Sequence, residues 1–295
     1  MRLCPGQVRV GGVDLSNHLI LAAGVLGTTG ASLQRMLREG AGGVVSKSIG
    51  PIPISGHKGP CVQVYDHYVL NAMGLPNPSQ AFQNEMAPLS GKPVIVSIFG
   101  GNPEEFATVA SWFTDSAAAF ELNVSCPHAK GYGTQIGTDP AMVEACTRAV
   151  KQTADLPVWV KLTPNVTDIT TIGKAAEDGG ADAIVAVNTV KAMRINTELK
   201  RPVLGYGTGG LSGPAIFPVA LRCVWELYDA VSVPIIGCGG VSNADEVIEM
   251  MMAGAAAVEI GTAVVNGSEV FRQIADALYG EDGESPADIV GCAHA

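Results

Sequence analysis

The sequence predicts an α/β protein folded as a single (β/α)8 barrel. Short apolar or β-branched runs alternate with helical patterns along nearly the whole chain, which is typical of a parallel sheet built from βα units. Eight such strand runs occur, the number that closes a barrel. The chain has 295 residues, which suits one barrel domain of about 250 residues with insertions. We therefore expect one domain over residues 1–295, with a hairpin at about 5–15 beneath the barrel and a C-terminal tail at about 280–295.

The elements follow in order along the chain. The predicted strands are residues 19–22, 43–46, 94–98, 120–123, 158–162, 183–187, 234–237 and 257–260. The predicted helices are residues 32–38, 103–115, 140–152, 168–178, 214–229 and 243–253. Proline or a capping aspartate opens several of them, as is usual at helix starts. A hairpin is expected within 8–13.

Two connections are too long to be ordinary links. One covers residues 47–93 after the second strand, and the other covers 188–213 after the sixth. Both leave the carboxyl ends of strands, where barrel enzymes place their chemistry. We interpret them as active-site loops; the alternative is a pair of plain surface insertions.

The composition narrows the class of protein. Charged residues make up 16% and hydrophobic residues 47%, against about 25% charged in an average soluble protein, so we expect a large core and a substantial partner surface. The net charge of −10, with no run of Lys or Arg, argues against nucleic acid or an anionic membrane as partner. The seven cysteines include no Cys-x-x-Cys pair, so no metal site is expected. No apolar signal region opens the chain, and we expect a cytoplasmic protein.

Glycines follow the last two predicted strands. Barrels often bind phosphate there, through backbone N–H groups and a nearby helix N-terminus. Gly239, Gly240, Gly261 and Thr262 occupy those positions, and Gly213 ends the second long loop. The sequence thus predicts a phosphate-containing ligand, unless the glycines serve only to make tight turns.

Polar residues lie at other strand ends. Lys47 and Lys161 should point into one pocket and suit an electron-rich ligand such as a reduced flavin; the alternative is a pair of surface lysines. Cys126, in a Ser-Cys-Pro turn after the fourth strand, suits a general base, although a cysteine at a strand end can equally be structural. Amide groups for a planar heterocycle come from Asn71, Asn123 and Asn188.

Several motifs resemble class 1 dihydroorotate dehydrogenases, in the same order along the chain. They are NAMGLPN at 71–77, NVSCP at 123–127, VKLTPN at 160–165, GGLSGP at 209–214, GCGGV at 237–241 and GT at 261–262. The resemblance runs from about residue 5 to about residue 279.

The resemblance implies an FMN cofactor and a defined set of site residues. The implied cofactor-binding residues are Ala23, Gly24, Lys47, Ser48, Asn123, Lys161 and Val187 for the ring, and Gly213, Gly239, Gly240, Gly261 and Thr262 for the phosphate. The implied substrate-binding residues are Lys47, Asn71, Ala72, Met73, Gly74, Leu75, Asn123, Asn188 and Thr189. Class 1 enzymes use a cysteine as base, which makes Cys126 the implied catalytic residue. The implied reaction is oxidation of dihydroorotate to orotate in pyrimidine biosynthesis, in which the cysteine takes a proton from C5 and C6 delivers hydride to the flavin.

The motifs around residues 125–128, 165–168 and 210–216 look most like the catalytic subunit of the NAD-dependent type 1B enzymes, particularly archaeal members. That subclass implies a homodimer core of a heterotetramer, with FAD and a 2Fe–2S cluster on a separate electron-transfer subunit. Two positions depart from the pattern: Ser97 stands where many relatives have asparagine, and His128 stands where bacterial members usually have asparagine. His128 also resembles the FMN domain of dihydropyrimidine dehydrogenases.

Three alternatives stay open at this point. They are a dihydropyrimidine dehydrogenase-like reductase, a self-sufficient type 1A enzyme that uses fumarate, and a flavin-free phosphate-binding barrel.

Overall fold

The computed structural model describes residues 7–125, 136–280 and 286–295. Its strands are β1 (Val8–Val10), β2 (Val13–Leu15), β3 (Leu19–Leu21), β4 (Gly43–Val45), β5 (Val62–Tyr65), β6 (Tyr68–Asn71), β7 (Val94–Ile98), β8 (Ala119–Asn123), β9 (Val158–Leu162), β10 (Ala183–Ala186), β11 (Val190–Ala192), β12 (Ile195–Asn196), β13 (Arg201–Pro202), β14 (Gly209–Ser212), β15 (Ile235–Cys238) and β16 (Ala255–Ile260). Its α-helices are α1 (Gly30–Arg38), α2 (Gln83–Met86), α3 (Pro103–Ser111), α4 (Pro140–Thr153), α5 (Ile169–Asp178), α6 (Phe217–Tyr228), α7 (Ala244–Met252) and α8 (Val270–Tyr279).

Eight strands close the predicted barrel. Their order around it is β3-β4-β7-β8-β9-β10-β15-β16, and every neighbouring pair is parallel. The predicted (β/α)8 fold is therefore confirmed, with strand ends within about two residues of the prediction, the usual scatter of such boundaries.

Four helices differ from the prediction, and one of them is the short α2 within the first long connection, where no helix was expected. The helix expected at 103–115 ends at Ser111, and the one expected at 214–229 begins as a 3₁₀ turn over Pro214–Ile216 before α6. Helix α8 was missed. It lacks a side-chain cap at its start, so the capping signals that marked other helices are absent. Its spacing of Phe271, Ile274 and Leu278, all buried, was the remaining signal.

The bottom of the barrel is closed by the hairpin of β1 and β2, as predicted. Val10, Val13 and Leu15 pack against inward-facing residues at the strand starts. The indole N–H of Trp159 in β9 donates to the carbonyl of Gly11 in the hairpin turn, 2.9 Å away. This plug leaves the carboxyl ends of the strands as the open side.

The two long connections form one antiparallel sheet, which we call the roof sheet. Its order is β11-β14-β6-β5; β5 and β6 come from the first connection, and β11 and β14 from the second. The two halves join where β6 pairs with β14, with Leu70 opposite Leu211. Neither connection is a plain surface insertion, because β5, β6 and β14 all contribute to the cavity described below.

Among the described residues, no helix has the length and apolar character needed to span a membrane. The cytoplasmic location stays a prediction.

Candidate active site

A cavity of about 600 Å³ lies at the carboxyl ends of the barrel strands, beneath the roof sheet. Its volume falls in the range of about 300–1,000 Å³ that is usual for small-molecule and cofactor sites. Of the residues predicted from the sequence, the following line it: Ala23, Gly24, Lys47, Ser48, Asn71, Met73, Gly74, Leu75, Asn123, Lys161, Val187, Asn188, Thr189, Gly213, Gly239, Gly240, Gly261 and Thr262. The strand ends and both long connections thus converge on one place.

Two predicted residues are not among this set. Ala72 is 1% exposed and packs with Leu70 and Leu204 on the other side of the roof sheet, because neighbouring residues along a strand point to opposite faces. Cys126 lies outside the described residues, as does His128, so their roles stay predictions.

Glycines define one end of the cavity. Gly213, Gly239 and Gly240 have φ of 93°, 128° and 85°, a region that side chains strongly disfavour. A Cβ on Gly240 would lie 2.7 Å from the backbone nitrogen of Phe217, the first residue of α6. This end of the cavity therefore abuts a helix N-terminus, the arrangement that favours an anion.

Gly261 is different from these three. Its φ is −112°, and a Cβ there would meet only the Cβ of Ala22, at 3.3 Å. Turn geometry and helix packing require glycine at position 240, whereas at position 261 they do not. Backbone geometry alone therefore explains the glycine at 240, whereas the glycine at 261 is better explained by the close approach of a ligand.

A chain of hydrogen bonds fixes the asparagines that face the cavity. The amide of Asn123 donates to the Ser48 hydroxyl, 3.0 Å away, and the Asn188 amide donates to the Ser125 hydroxyl at 2.7 Å. The Ser48 and Ser97 hydroxyls are 2.9 Å apart. Ser97 is fully buried and does not line the cavity. Position 97, where serine replaces the asparagine of many relatives, therefore contributes a hydroxyl that holds Ser48 and does not face the cavity.

The floor of the cavity carries a buried ionic cluster that sequence reasoning missed. The ammonium of Lys161 donates to Oε2 of Glu259 and lies 3.5 Å from Oε2 of Glu121. Both glutamates are essentially unexposed, and Lys161 is 5% exposed. The signal was present in the sequence, because Glu121 and Glu259 each interrupt an otherwise apolar strand.

Burial shifts the titration of this cluster. It raises the pKa of Glu121 well above the usual value, and the Glu259 charge raises it further, while Lys161 acts in the opposite direction. Burial acts to lower the pKa of Lys161, but the interactions with Cys238, Glu121 and Glu259, including the hydrogen bond to Glu259, outweigh it, so that pKa is raised. Burial raises the pKa of the Cys238 thiol to about 12. Lys161 is therefore cationic and Cys238 neutral near pH 7.

The rim of the cavity is formed by the roof sheet and is partly apolar. Val62 and Val64 line the cavity while 43% and 58% exposed. The guanidinium of Arg194 lies 4.5 Å from the ring centre of Tyr65 and donates to the Tyr68 hydroxyl. No motif pointed to these residues, because they come together only through the pairing of β6 with β14.

The residues present fit a flavin mononucleotide. The glycine end, with the α6 N-terminus beside it, suits a phosphate. Gly24 has φ 120° and nothing within 4 Å of where its Cβ would be, so a flat ring has room to approach the backbone. A cation and fixed amides occupy the middle of the same cavity.

Comparison with known proteins agrees with this geometry. Residues 6–281 match the family model described as dihydroorotate dehydrogenase. A Methanocella arvoryzae protein named "Dihydroorotate dehydrogenase B (NAD(+)), catalytic subunit" is 58% identical over 267 residues, covering 90% of this chain and 88% of that protein. A Pyrococcus horikoshii protein of the same name is 49% identical and covers 97% of each chain.

Among solved structures, the crystal structure of DHODH from Eimeria tenella in complex with ferulenol has a TM-score of 0.83. It is 20% identical and covers 98% of this chain and 88% of that one, which supports the barrel fold. The family model and the relatives together confirm the resemblance seen in the motifs: this chain belongs to the dihydroorotate dehydrogenase family.

Proposed function

We propose that this chain oxidises dihydroorotate to orotate in pyrimidine biosynthesis, using FMN held in the cavity at the carboxyl ends of the strands. The observation that carries the proposal is the convergence of the glycine end, the buried Lys161 cation and the fixed asparagines on one cavity of about 600 Å³. When bound, FMN would supply the acceptor for the hydride that leaves the substrate.

Backbone groups and side chains of this chain would bind and orient the two molecules. Gly213, Gly239, Gly240, Gly261 and Thr262 would hold the phosphate. Lys161, Ser48 and Asn123, in the floor and middle of the cavity, would face the ring.

The substrate would lie between the ring and the roof sheet. Asn71, the segment 73–75 and Thr189 line this part of the cavity. The hydrogen bond from Asn188 to Ser125 keeps its amide in one orientation, so the donors are placed before the substrate arrives. They would stabilise the negative charge that develops when C5 of dihydroorotate loses its proton.

Cys126 is the proposed base for that proton. It follows directly on Ser125, whose hydroxyl and backbone nitrogen both hydrogen-bond to the Asn123 and Asn188 pair. Ser125 is therefore held in a fixed position beside the cavity-lining Asn123 and Asn188, which supports a base at the next residue.

The experiment that tests the proposal is anaerobic addition of dihydroorotate to the purified protein. We expect a bound flavin spectrum that bleaches in proportion to the dihydroorotate added. A colourless protein that binds no added FMN would contradict the proposal and favour a flavin-free phosphate-binding barrel. Uracil turnover without dihydroorotate turnover would instead favour the dihydropyrimidine dehydrogenase-like alternative, which rests on His128 alone.

We further propose that the electrons reach NAD through a second subunit carrying FAD and a 2Fe–2S cluster, on a homodimer of this chain. The relatives' names, which pair NAD with the words "catalytic subunit", support a partner. The half-exposed valines at the cavity rim offer an apolar contact beside the ring site. The isolated chain should reduce artificial dyes but not NAD. Rapid fumarate-dependent turnover by the isolated chain would favour the type 1A alternative.

A further inference from the structure

Among the inward-facing residues of the barrel, an ionic layer lies above an apolar one. Side chains alternate along a strand, so β8, β9 and β16 each place every second residue inward. The lowest layer is apolar and includes Ala119, Trp159 and Ala257. Two residues further along the same strands come Glu121, Lys161 and Glu259, which we call the floor triad.

The hydrogen bonds of the floor triad are incomplete if both glutamates are charged. Neither carboxyl oxygen of Glu121 has a hydrogen-bond partner, and Oε1 of Glu259 also lacks one. Buried carboxylate oxygens without donors are costly. The one cation, Lys161, donates to Glu259 and is 3.5 Å from Glu121, so it cannot satisfy the remaining oxygens.

A proton between the two carboxyl groups reduces this deficit from three unpartnered oxygens to one. It turns one oxygen of Glu121 into a donor, and the free Oε1 of Glu259 is an acceptor in the same cluster. The interaction of these two side chains also favours the protonated form of Glu121. Two carboxyl groups that share a site commonly keep one proton for the same reason, since both cannot ionise at close range. The triad then has one cation and one anion, and no net charge.

We propose that Glu121 and Glu259 share one proton beneath Lys161, and that this neutral triad is the positioning element that keeps the lysine charged and directed into the ring site. Glu259 holds the ammonium directly, while Glu121, which lines the cavity, donates its proton to Glu259. Both are positioning residues that act through Lys161. The part of the proposal that concerns the ring rests on the proposed function; the shared proton does not.

The first experiment is infrared spectroscopy of the purified protein at neutral pH. Wild-type protein should show the C=O stretch of a protonated carboxyl group, shifted by deuterium exchange. That band should vanish in both Glu121→Gln and Glu259→Gln, because the one remaining carboxyl group then ionises to pair with Lys161. The exposed Glu249 provides a matched control, since Glu249→Gln should leave the band unchanged. A band that is absent from wild type, or that survives in either triad variant, would overturn the shared proton.

The second experiment is thermal unfolding of the same variants. Each single variant keeps one carboxylate beside the lysine, so we expect melting temperatures within about 3 °C of wild type. The double variant leaves a buried cation without a counter-charge, and its melting temperature should fall by roughly 5–10 °C, well beyond the sum of the singles. If the double variant does not fold, the singles still decide. A single variant that is clearly more stable than wild type would mean that both carboxylates are ionised, contrary to the proposal.

The third measurement is the midpoint potential of bound FMN. With the triad neutral in wild type and in either single variant, the charge beneath the ring is unchanged, so the potential should be the same in all three. A marked rise in either single variant would mean that a negative charge had been removed, and would overturn the neutral triad. Wild-type protein that binds no FMN would contradict the proposed function and leave the infrared test intact.

Discussion

The hydrogen bonds behind the ring site make a quantitative prediction for Ser48→Ala. The Ser48 hydroxyl joins the hydroxyl of Ser97, 2.9 Å away, to the amide of Asn123, 3.0 Å away. Its removal leaves two polar groups without that partner, and a buried orphan costs roughly 1–3 kcal/mol. Asn123 lines the cavity and can turn its amide toward water there. Two such orphans together would cost about 2–6 kcal/mol. We therefore expect Ser48→Ala to lower the free energy of unfolding by about 2–3 kcal/mol, in the lower half of that range.

Ser97→Ala is the matched control. It removes one hydrogen bond but leaves the Ser48 hydroxyl with its Asn123 donor, so only the net value of one bond, about 1 kcal/mol, should be lost. The assay is urea unfolding of flavin-free protein, so that changes in ligand binding do not contribute. Ser48→Ala should also slow dihydroorotate-dependent flavin reduction, because Asn123 loses its orientation, whereas Ser97→Ala should change that rate little. If the two variants were equally stable, the idea that Ser48 is the link between Ser97 and Asn123 would be wrong.

Three further predictions concern separate parts of the chain. Cys126→Ala should bind orotate but reduce flavin about 10²–10⁴ times more slowly than wild type. The wild-type rate of flavin reduction should increase as the pH is raised toward the usual thiol pKa of about 8.5. Stopped-flow rates of the two proteins within threefold of each other would exclude Cys126 as the base. Gly240→Ala should lower the melting temperature even without flavin, because the new Cβ meets the start of α6. Gly261→Ala should fold normally and show a lower affinity for FMN in a binding titration. Equal effects of the two substitutions on stability would contradict this distinction. Asp168 is the N-cap of α5, and hydrogen bonds from the Thr170 and Thr171 side chains lower its pKa from 3.8 to about 2. The stability that this carboxylate contributes is therefore complete above pH 3.8 and is lost as the pH falls toward 2. In a carbon NMR titration, Thr170→Val should raise that pKa, and an unchanged value would refute the cause given.

The barrel and the residues at its mouth could be predicted because their signals are local. A strand followed by glycine, or by a polar residue at its carboxyl end, can be recognised within a few positions, and every parallel strand ends on the same side. Lys161, Asn123 and Gly239 were found in this way.

The parts that were missed depend on contacts between distant segments. Glu121 and Glu259 are 138 positions apart in the sequence, and only barrel closure brings both to one lysine. The roof sheet likewise depends on the pairing of β6 with β14, which neither segment predicts alone. Ala72 differs from its neighbours in the same motif, because it packs with Leu70 and Leu204 and does not line the cavity; its part in binding substrate stays a prediction.

The roof sheet has a consequence for the exchange of parts between relatives. Because its middle pair joins β6 to β14 through backbone hydrogen bonds, the two long connections fold as one unit, although Leu70 and its partner Leu211 are 141 positions apart in the sequence. A chimera that takes only one connection from another barrel would present an unpaired strand edge above the site. A chimera should therefore acquire the substrate preference of another barrel only when both long connections are exchanged together.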